Sequence, residues 1–577
     1  MKKINKYILF FLPVFYLLFS CKTETIADIV LINGTVITVD KDFSIAEAIA
    51  IKNDKILAVG SNKEINKLTN AKTILIDLKG KTVIPGLIDS HCHPEIASVS
   101  ELYEEVPDVH TIAELLEWIK TQAGAKKKGE WIIFNRMFYT RLNEMRPPSL
   151  YELDSVAPNN PVFLNGSYGG MINTSAMVVS EINEKLENKG LIKDKETGKL
   201  TGFIRNSAFK LLKRPSPPPL SNEEKVKALQ DLFKEYNNCG ITGIISGSHD
   251  YMNFKRYQEM SDNEQLTLRI SQNFRLPFHI TDSKERLVDS LRTLKIVTGQ
   301  GDEWVRAGSL KIVLDGGILT GTAFMREPWG EKAMDIFDIN DLSYQGIVNF
   351  SRNEILNIVT AANELNWSFT AHCTGSGSVD LLLDVFEEAN KIKPVKGRRF
   401  SIIHGNFYNE KSIKQMQELE ILANCQAAWF YKDADAMKEI LGDNRVKDFN
   451  PFGSLNKAGV IVCGGSDHMD KLDPNTSINP YNPFLSMWSM ITRKTEKGNV
   501  IEPTEAISRM DALKMYTVNN AIATFEENIK GSLEIGKLAD LVIISENILN
   551  CPVDNIKNIQ SELTMVGGKI VFQEKTN

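Results

Sequence analysis

Short apolar runs separated by turn-forming residues open the chain. Residues 29–32, 36–39, 48–51, 56–59 and 74–76 are set apart by Asn33-Gly34, Asn53-Asp54, Gly60 and Lys79-Gly80. Runs of this length with turn pairs between them predict a small antiparallel β unit. A second set closes the chain, within residues 531–544 and 563–572. The two ends together predict one composite β-sandwich, residues 26–83 and 526–577. Over residues 84–525 strand-like and helix-like stretches alternate, which predicts an α/β barrel. Residues from about 96 to 240 break that rhythm. They hold a helical stretch at 112–121, a strand at 161–164 and a proline-rich segment at 214–219, after which Ser221 and Glu224 have capping-box spacing. An insertion here, just after the first barrel strand, is placed to cover the mouth of an active site.

Several of the barrel runs end in residues with chemistry. The first, residues 83–95, reads Val-Ile-Pro-Gly-Leu-Ile-Asp-Ser-His-Cys-His-Pro-Glu. Side chains alternate along a strand, so His91 and His93 share a face and Cys92 points away. Two neutral imidazoles so placed form a chelating pair suited to zinc or a similar divalent ion, although two ligands do not complete a site. Runs at 241–246 and 266–274 supply the next strands. Lys311 then lies in the apolar run 310–317, His372 ends 368–372, His404 ends 400–404, and Asp467 closes 460–467. A free ammonium in so apolar a strand is costly, so Lys311 is expected to be neutralised, paired or chemically altered. Their spacing pairs none of His110, His249 and His279 with a metal, and they are read as surface or packing residues. The remaining series, histidine pair, lysine, histidine, histidine and aspartate, falls at successive strand ends, where barrels place catalytic groups.

Composition adds exclusions. The 577 residues are 42% hydrophobic with a formal net charge of −6. No long basic stretch occurs, which excludes nucleic acid as a partner. The cysteines, at 21, 92, 239, 373, 425, 463 and 551, include no Cys-X-X-Cys pair, which argues against a thiolate zinc site and a disulfide framework. The first twenty residues read as a targeting segment: Lys2, Lys3 and Lys6 precede an apolar run at 7–19 too short to span a membrane comfortably. The ending Leu18-Phe19-Ser20-Cys21 resembles a bacterial lipoprotein signal, with Cys21 as the lipid-attachment site. That resemblance implies an extracytoplasmic protein of the cell envelope, bound to the membrane through its lipid anchor alone.

The barrel motifs, in their order, resemble family 3 of the amidohydrolase superfamily. The stretches are residues 83–93, 310–317, His404-Gly405, Leu441-Gly442-Asp443-Asn444-Arg445, Gly465-Ser466-Asp467-His468, 479–484, 516–520 and 530–540. The resemblance implies a distorted (β/α)8 TIM barrel joined to a β-sandwich built from both chain ends. It implies one or two zinc ions: His91, His93 and Asp467 on the more buried, His372 and His404 on the second, and Lys311, carboxylated by carbon dioxide, bridging both. It implies hydrolysis of a non-peptide carbon–nitrogen bond of a small molecule, with Asp467 also moving the proton. Two other readings stay open: a non-hydrolytic enzyme on the same fold, and a metal-binding envelope lipoprotein without turnover. The chain departs from the family where Tyr168 stands in place of a histidine common before the asparagine at 173, and where Phe134-Asn135-Arg136-Met137-Phe138 replaces a glycine-rich segment after Trp131-Ile132. Tyr168, Asn406 and Arg445 are candidates for substrate contact, and Trp429 follows a ligand strand in the same way.

Overall fold

The computed structural model describes residues 26–102, 106–216, 218–276, 280–339 and 341–574; the leader, Cys21 and His279 lie outside them. Eight strands form the barrel: β1 (Leu87–Cys92), β2 (Ile241–His249), β3 (Arg269–Arg275), β4 (Val305–Val313), β5 (Phe369–Cys373), β6 (Ser401–His404), β7 (Leu422–Gln426) and β8 (Val462–Gly465). Each pairs in parallel with the next, in the order of the chain. Helices such as Asn222–Asn238, Arg352–Glu364 and Ser376–Ile392 return the chain between strands. The first of these carries the Ser221–Glu224 capping box. β1, β5, β6, β7 and β8 are buried along their whole length, as strands covered on both faces must be.

The circle closes without a regular ladder between β8 and β1. Asp467 N donates to His91 O at 2.6 Å, His93 N donates to His468 O at 2.8 Å, and Cys92 and His468 form an isolated parallel bridge. The end of the first strand and the turn after the last are therefore stitched together by backbone hydrogen bonds.

β1 continues a strand of another sheet. Thr82–Pro85 pairs in parallel with Thr35–Ile37 and antiparallel with Leu541–Ile544, in a six-stranded sheet that also holds Ser561–Val566 and Lys569–Gln573. At Gly86 the chain leaves that sheet for the barrel, and a Cβ there would lie 2.1 Å from Thr242 Oγ1. Ile29–Ile32, Ala48–Lys52, Lys55–Gly60 and Ile74–Asp77 make a four-stranded sheet. Leu31, Ile49, Val83, Leu541, Ile543 and Leu563 share one buried apolar cluster that draws on both chain ends. The unit is mixed rather than purely antiparallel, since Ile29–Ile32 pairs in parallel with Ile74–Asp77.

Two further departures from the sequence reading have a physical cause. β7 went unforeseen because Asn424 and Gln426 interrupt its apolar pattern. The stretch 96–240 holds a five-stranded sheet where one strand was expected, its order Leu191–Lys193, Leu200–Arg205, Gly169–Ile172, Val162–Asn165, Ile132–Asn135. These strands are three to six residues long, and one begins with two glycines, so little alternation accumulates to mark them. Among the described residues no helix is long and apolar enough to cross a membrane.

Barrel and sandwich are joined by a buried ion pair at the start of β3. Arg269 Nε and Nη2 donate to Asp540 Oδ2 and Oδ1 at 2.7 and 3.0 Å, Nη1 donates to Glu303 O at 2.9 Å, and the guanidinium lies 4.7 Å from the Trp304 ring centre. Removing one member of such a pair strands a buried charge and typically destabilises by about 3–5 kcal/mol. Arg269→Ala should therefore lower the unfolding free energy by that order in denaturant titration, and the double change Arg269→Met with Asp540→Leu should recover much of the loss.

Candidate metal centre at the barrel rim

β1, β4, β5, β6 and the turn after β8 bring six side chains to one end of the barrel. His91 Nε2 and His93 Nε2 lie 3.4 and 3.3 Å from Asp467 Oδ1. The ligand atoms of these three residues all fall within 4.8 Å of one another. Lys311 Nζ is 3.1 Å from His91 Nε2. The ring of His404 sits 5.5 Å from His91 and 4.5 Å from His372. Two glycines make room here: a Cβ on Gly247 of β2 would be 2.4 Å from His93 Cε1 in its ring, and one on Gly465 would be 2.6 Å from Ser90 Oγ and 2.7 Å from the backbone nitrogen of His91. His404 and Asp467 both adopt left-handed backbone, with φ of 72° and 56°, a conformation unusual for residues other than glycine.

The outer hydrogen bonds fix which nitrogen each histidine offers. Gln426 Nε2 donates to Asn424 Oδ1 at 3.1 Å, so its Oε1, 2.7 Å from His404 Nδ1, is the acceptor for Nδ1–H. That leaves His404 Nε2 with its lone pair. Asn424 is held in turn by Ser90, whose hydroxyl donates to Oδ1 at 2.7 Å and whose carbonyl accepts from Nδ2 at 2.9 Å. His372 Nε2 donates to Gly316 O at 2.8 Å, which leaves Nδ1 as its basic nitrogen. Trp429 stacks on His404 at 4.6 Å and 10°. Partners of this kind orient ligating imidazoles and raise their basicity.

Burial sets the charge states. It pushes the His91 imidazole well below its usual range, helped by the Lys311 ammonium, and does the same to His404, helped by His372. His372 is brought down to about 4, again by burial, against the pull of the Gly316 carbonyl. Neutral imidazoles are the form that ligates a metal. Burial lowers Lys311 to about 8 and raises Asp467 to about 7, each opposed by the other's charge. Asp467 Oδ1 is buried and has no hydrogen-bond donor among the described residues. A carboxylate oxygen in that position is costly unless a cation meets it, so the donor set fits a divalent ion.

Over this rim lies a cavity of 840 Å³. Its floor includes His93, Lys311, His372, His404 and Asp467; the insertion contributes Arg136, Phe138, Ser167 and Tyr168 to its wall, and Arg275, Phe350 and Trp429 also line it. The Tyr168 ring stands 6.1 Å from that of His372. Two of the residues read as substrate contacts do not line the cavity. The chain turns through left-handed backbone at His404 and Gly405, and Asn406 is buried with its carbonyl accepting from Asn450 N at 2.7 Å. Arg445 Nη1 donates to Pro328 O and Trp329 O at 2.9 and 3.2 Å, in a separate surface hollow. Outside the rim, His110 is half exposed beside Asp108 at 3.4 Å. Sequence reasoning missed Gln426 and Asn424; the signal available was an amide at a strand end, in step with the ligand strands before and after it.

An eight-stranded parallel barrel that brings two histidines and a carboxylate to one point at its rim defines a class, the metal-dependent barrel hydrolases. The chain belongs to the Amidohydrolase family, whose model matches residues 75–572. It is 28% identical over 564 residues to Protein LONG AFTER FAR-RED 3 of Arabidopsis thaliana, covering 95% of this chain and 92% of that one. It is 26% identical over 559 residues to the N-substituted formamide deformylase of Arthrobacter pascens, covering 95% and 98%. Among solved structures, an uncharacterized metal-dependent hydrolase from Pyrococcus horikoshii OT3 shares the fold with a TM-score of 0.67 at 21% identity, covering 91% of this chain and 99% of that one.

The contacts at Gly465 generate a test. Gly465→Ala puts a methyl group against Ser90 Oγ and the His91 amide, and overpacking of this kind typically costs about 1–3 kcal/mol. The variant should melt lower and, because β8 is levered away from β1, bind less metal per folded molecule. Unchanged metal content by elemental analysis would mean that the closure does not set the site.

Proposed function

We propose that this protein hydrolyses a carbon–nitrogen bond other than a peptide bond, in an amide, formamide or cyclic amide, with one or two zinc ions at the barrel rim. The observation that carries the reading is the convergence of His91 Nε2 and His93 Nε2 on Asp467 Oδ1, which has no hydrogen-bond donor among the described residues. Similarity along nearly the full length of a formamide deformylase supports the choice of bond. In this reading His91, His93 and Asp467 would hold one ion. His372 and His404 would hold a second, and Lys311 would serve the site as a carbamate. Burial favours that last step, because it raises the neutral fraction of the amine, the form that reacts with carbon dioxide. A bound ion supplies a water acidified to near-neutral pH and a Lewis acid for the carbonyl.

The chain's own groups do the rest. Asp467 accepts the proton of the attacking water and returns it to the leaving nitrogen, so that the amine departs neutral. Gln426 and the Gly316 carbonyl keep the two outer histidines in the tautomers this arrangement needs. Phe138, Tyr168, Phe350 and Trp429 wall the cavity and exclude water from the apolar part of a bound substrate. The leader and Cys21 carry a second element of the proposal, a lipid anchor that holds the enzyme at the outside of a bacterial membrane.

A turnover screen of metal-loaded protein against N-substituted formamides, N-acyl amines and cyclic amides tests the reaction class; no turnover of any of them would favour the binding lipoprotein over the enzyme. Asp467→Asn keeps a ligand oxygen but accepts no proton near neutral pH. It should retain metal while kcat falls by about a hundred- to ten-thousand-fold, and normal kcat in a loaded Asp467→Asn enzyme would remove Asp467 as the base. For the anchor, Cys21→Ala should release the protein from the membrane fraction or block its processing; unchanged association and mobility would eliminate the lipid attachment.

A further inference from the structure

Beyond the closure with β1, the turn that carries Asp467 is also held by the insertion. Arg136, within the segment that departs from the family pattern, donates from Nη1 to Asp470 Oδ2 at 2.6 Å and from Nε to Met469 Sδ at 2.5 Å. Ser100 Oγ and Glu101 Oε2 accept from the amides of Lys471 and Leu472 at 3.0 and 2.8 Å. A second arginine, Arg141 of the short Tyr139–Arg141 turn, grips the far end of the same loop. Its Nε and Nη2 form a fork onto Asp433 at 2.7 and 2.9 Å, Nη1 donates to Ile478 O, and Nη2 reaches Asn479 Oδ1 at 3.4 Å. Asn479 Nδ2 then donates to Asp467 O at 2.9 Å and approaches Asp467 Oδ2 at 3.5 Å. Arg141 is nearly buried, and its guanidinium packs 5.2 Å from the ring centre of Phe138 in the cavity wall.

We infer that Arg141 is a positioning residue for Asp467, acting through Asn479 to turn Oδ1 of the carboxylate toward the two histidines. The inference rests on Asp467 serving as a metal ligand as proposed above. The geometry needs a planar fork. One guanidinium meets both oxygens of Asp433, a backbone carbonyl and a side-chain amide at once, and an ammonium has no matching arrangement of donors. With Asp433 on the helix Ala427–Leu441, which follows β7 directly, Arg141 ties insertion, barrel helix and catalytic turn at one point. Asn479 has both ends committed: the oxygen faces Arg141 and the amide nitrogen faces Asp467, so its orientation, and that of the carboxylate, follow from the arginine.

The test uses the full chain, stripped of metal, and zinc ion itself as the probe. Arg141→Lys keeps the charge and Asn479→Leu keeps the volume, so both should fold; melting temperatures are taken on each preparation. Each change should weaken zinc affinity, measured by competition with a chromophoric chelator, about ten- to a hundredfold, and should alter the visible absorption of the cobalt-substituted protein. The double variant should be no weaker than the poorer single one, because both changes break the same connection. Unaltered affinity and spectrum in Arg141→Lys, or losses that multiply in the double variant, would overturn the proposal, as would a lowered melting temperature with normal affinity. None of these readouts needs a substrate, so failure of the reaction class in the turnover screen stays distinguishable from failure of the positioning role.

Discussion

The closure of the barrel between its last strand and its first governs everything else at the rim. Seven of the eight junctions are parallel ladders, three of them with register shifts around β2 and β3. The eighth is a few backbone hydrogen bonds, and it is where Asp467 meets His91 and His93. A regular ladder there would fix the register but leave no freedom for Asp467 to enter left-handed backbone and swing its carboxylate over the neighbouring strand. Gly465 permits the close approach. Asp89 secures it from below, accepting from His91 N and from both the amide and the hydroxyl of Ser466. Burial pushes the Asp89 carboxyl up to about 7, and the Ser466 hydroxyl hydrogen bond opposes the rise.

How far this was legible in the sequence follows from where the controlling forces act. The ligand strands are buried on both faces, so their apolar runs stand out, and the residue at which each run stops is visible without further information. His91, His93, His372, His404 and Asp467 sit at or beside such stops, and Lys311 stands out as an ammonium inside its apolar run. β7 carries its polar residues inside the barrel to serve His404, and that service erases the signal by which a strand is noticed. That Asn406 and Arg445 lie outside the cavity lining has the opposite origin. Both follow ligand motifs closely along the chain, but side-chain direction there depends on a left-handed turn and on packing against distant carbonyls, which a linear pattern does not encode.

The insertion marks a second limit. Its strands are too short to announce themselves, and its contacts with the catalytic turn join residues far apart in the chain: Arg141 and Asn479 are separated by 338 positions. Tyr168 and the 134–138 segment were noticed as departures from the family. The structure adds what those departures do: one presents a ring beside His372, and the other supplies the arginine that pairs with Asp470.

The strand that crosses from sandwich to barrel at Gly86 bears on the order in which the molecule can be assembled. Thr82–Pro85 is flanked on one side by Thr35–Ile37, made before it, and on the other by Leu541–Ile544, made long after it. Contacts of such long sequence separation form late, because the loop between them must close first. The strand from which β1 continues thus gains its second flank only once Leu541–Ile544 has been made, after Asp467 is already available. A nascent or truncated chain would hold all the ligands and still lack a firm base for the strand that bears two of them.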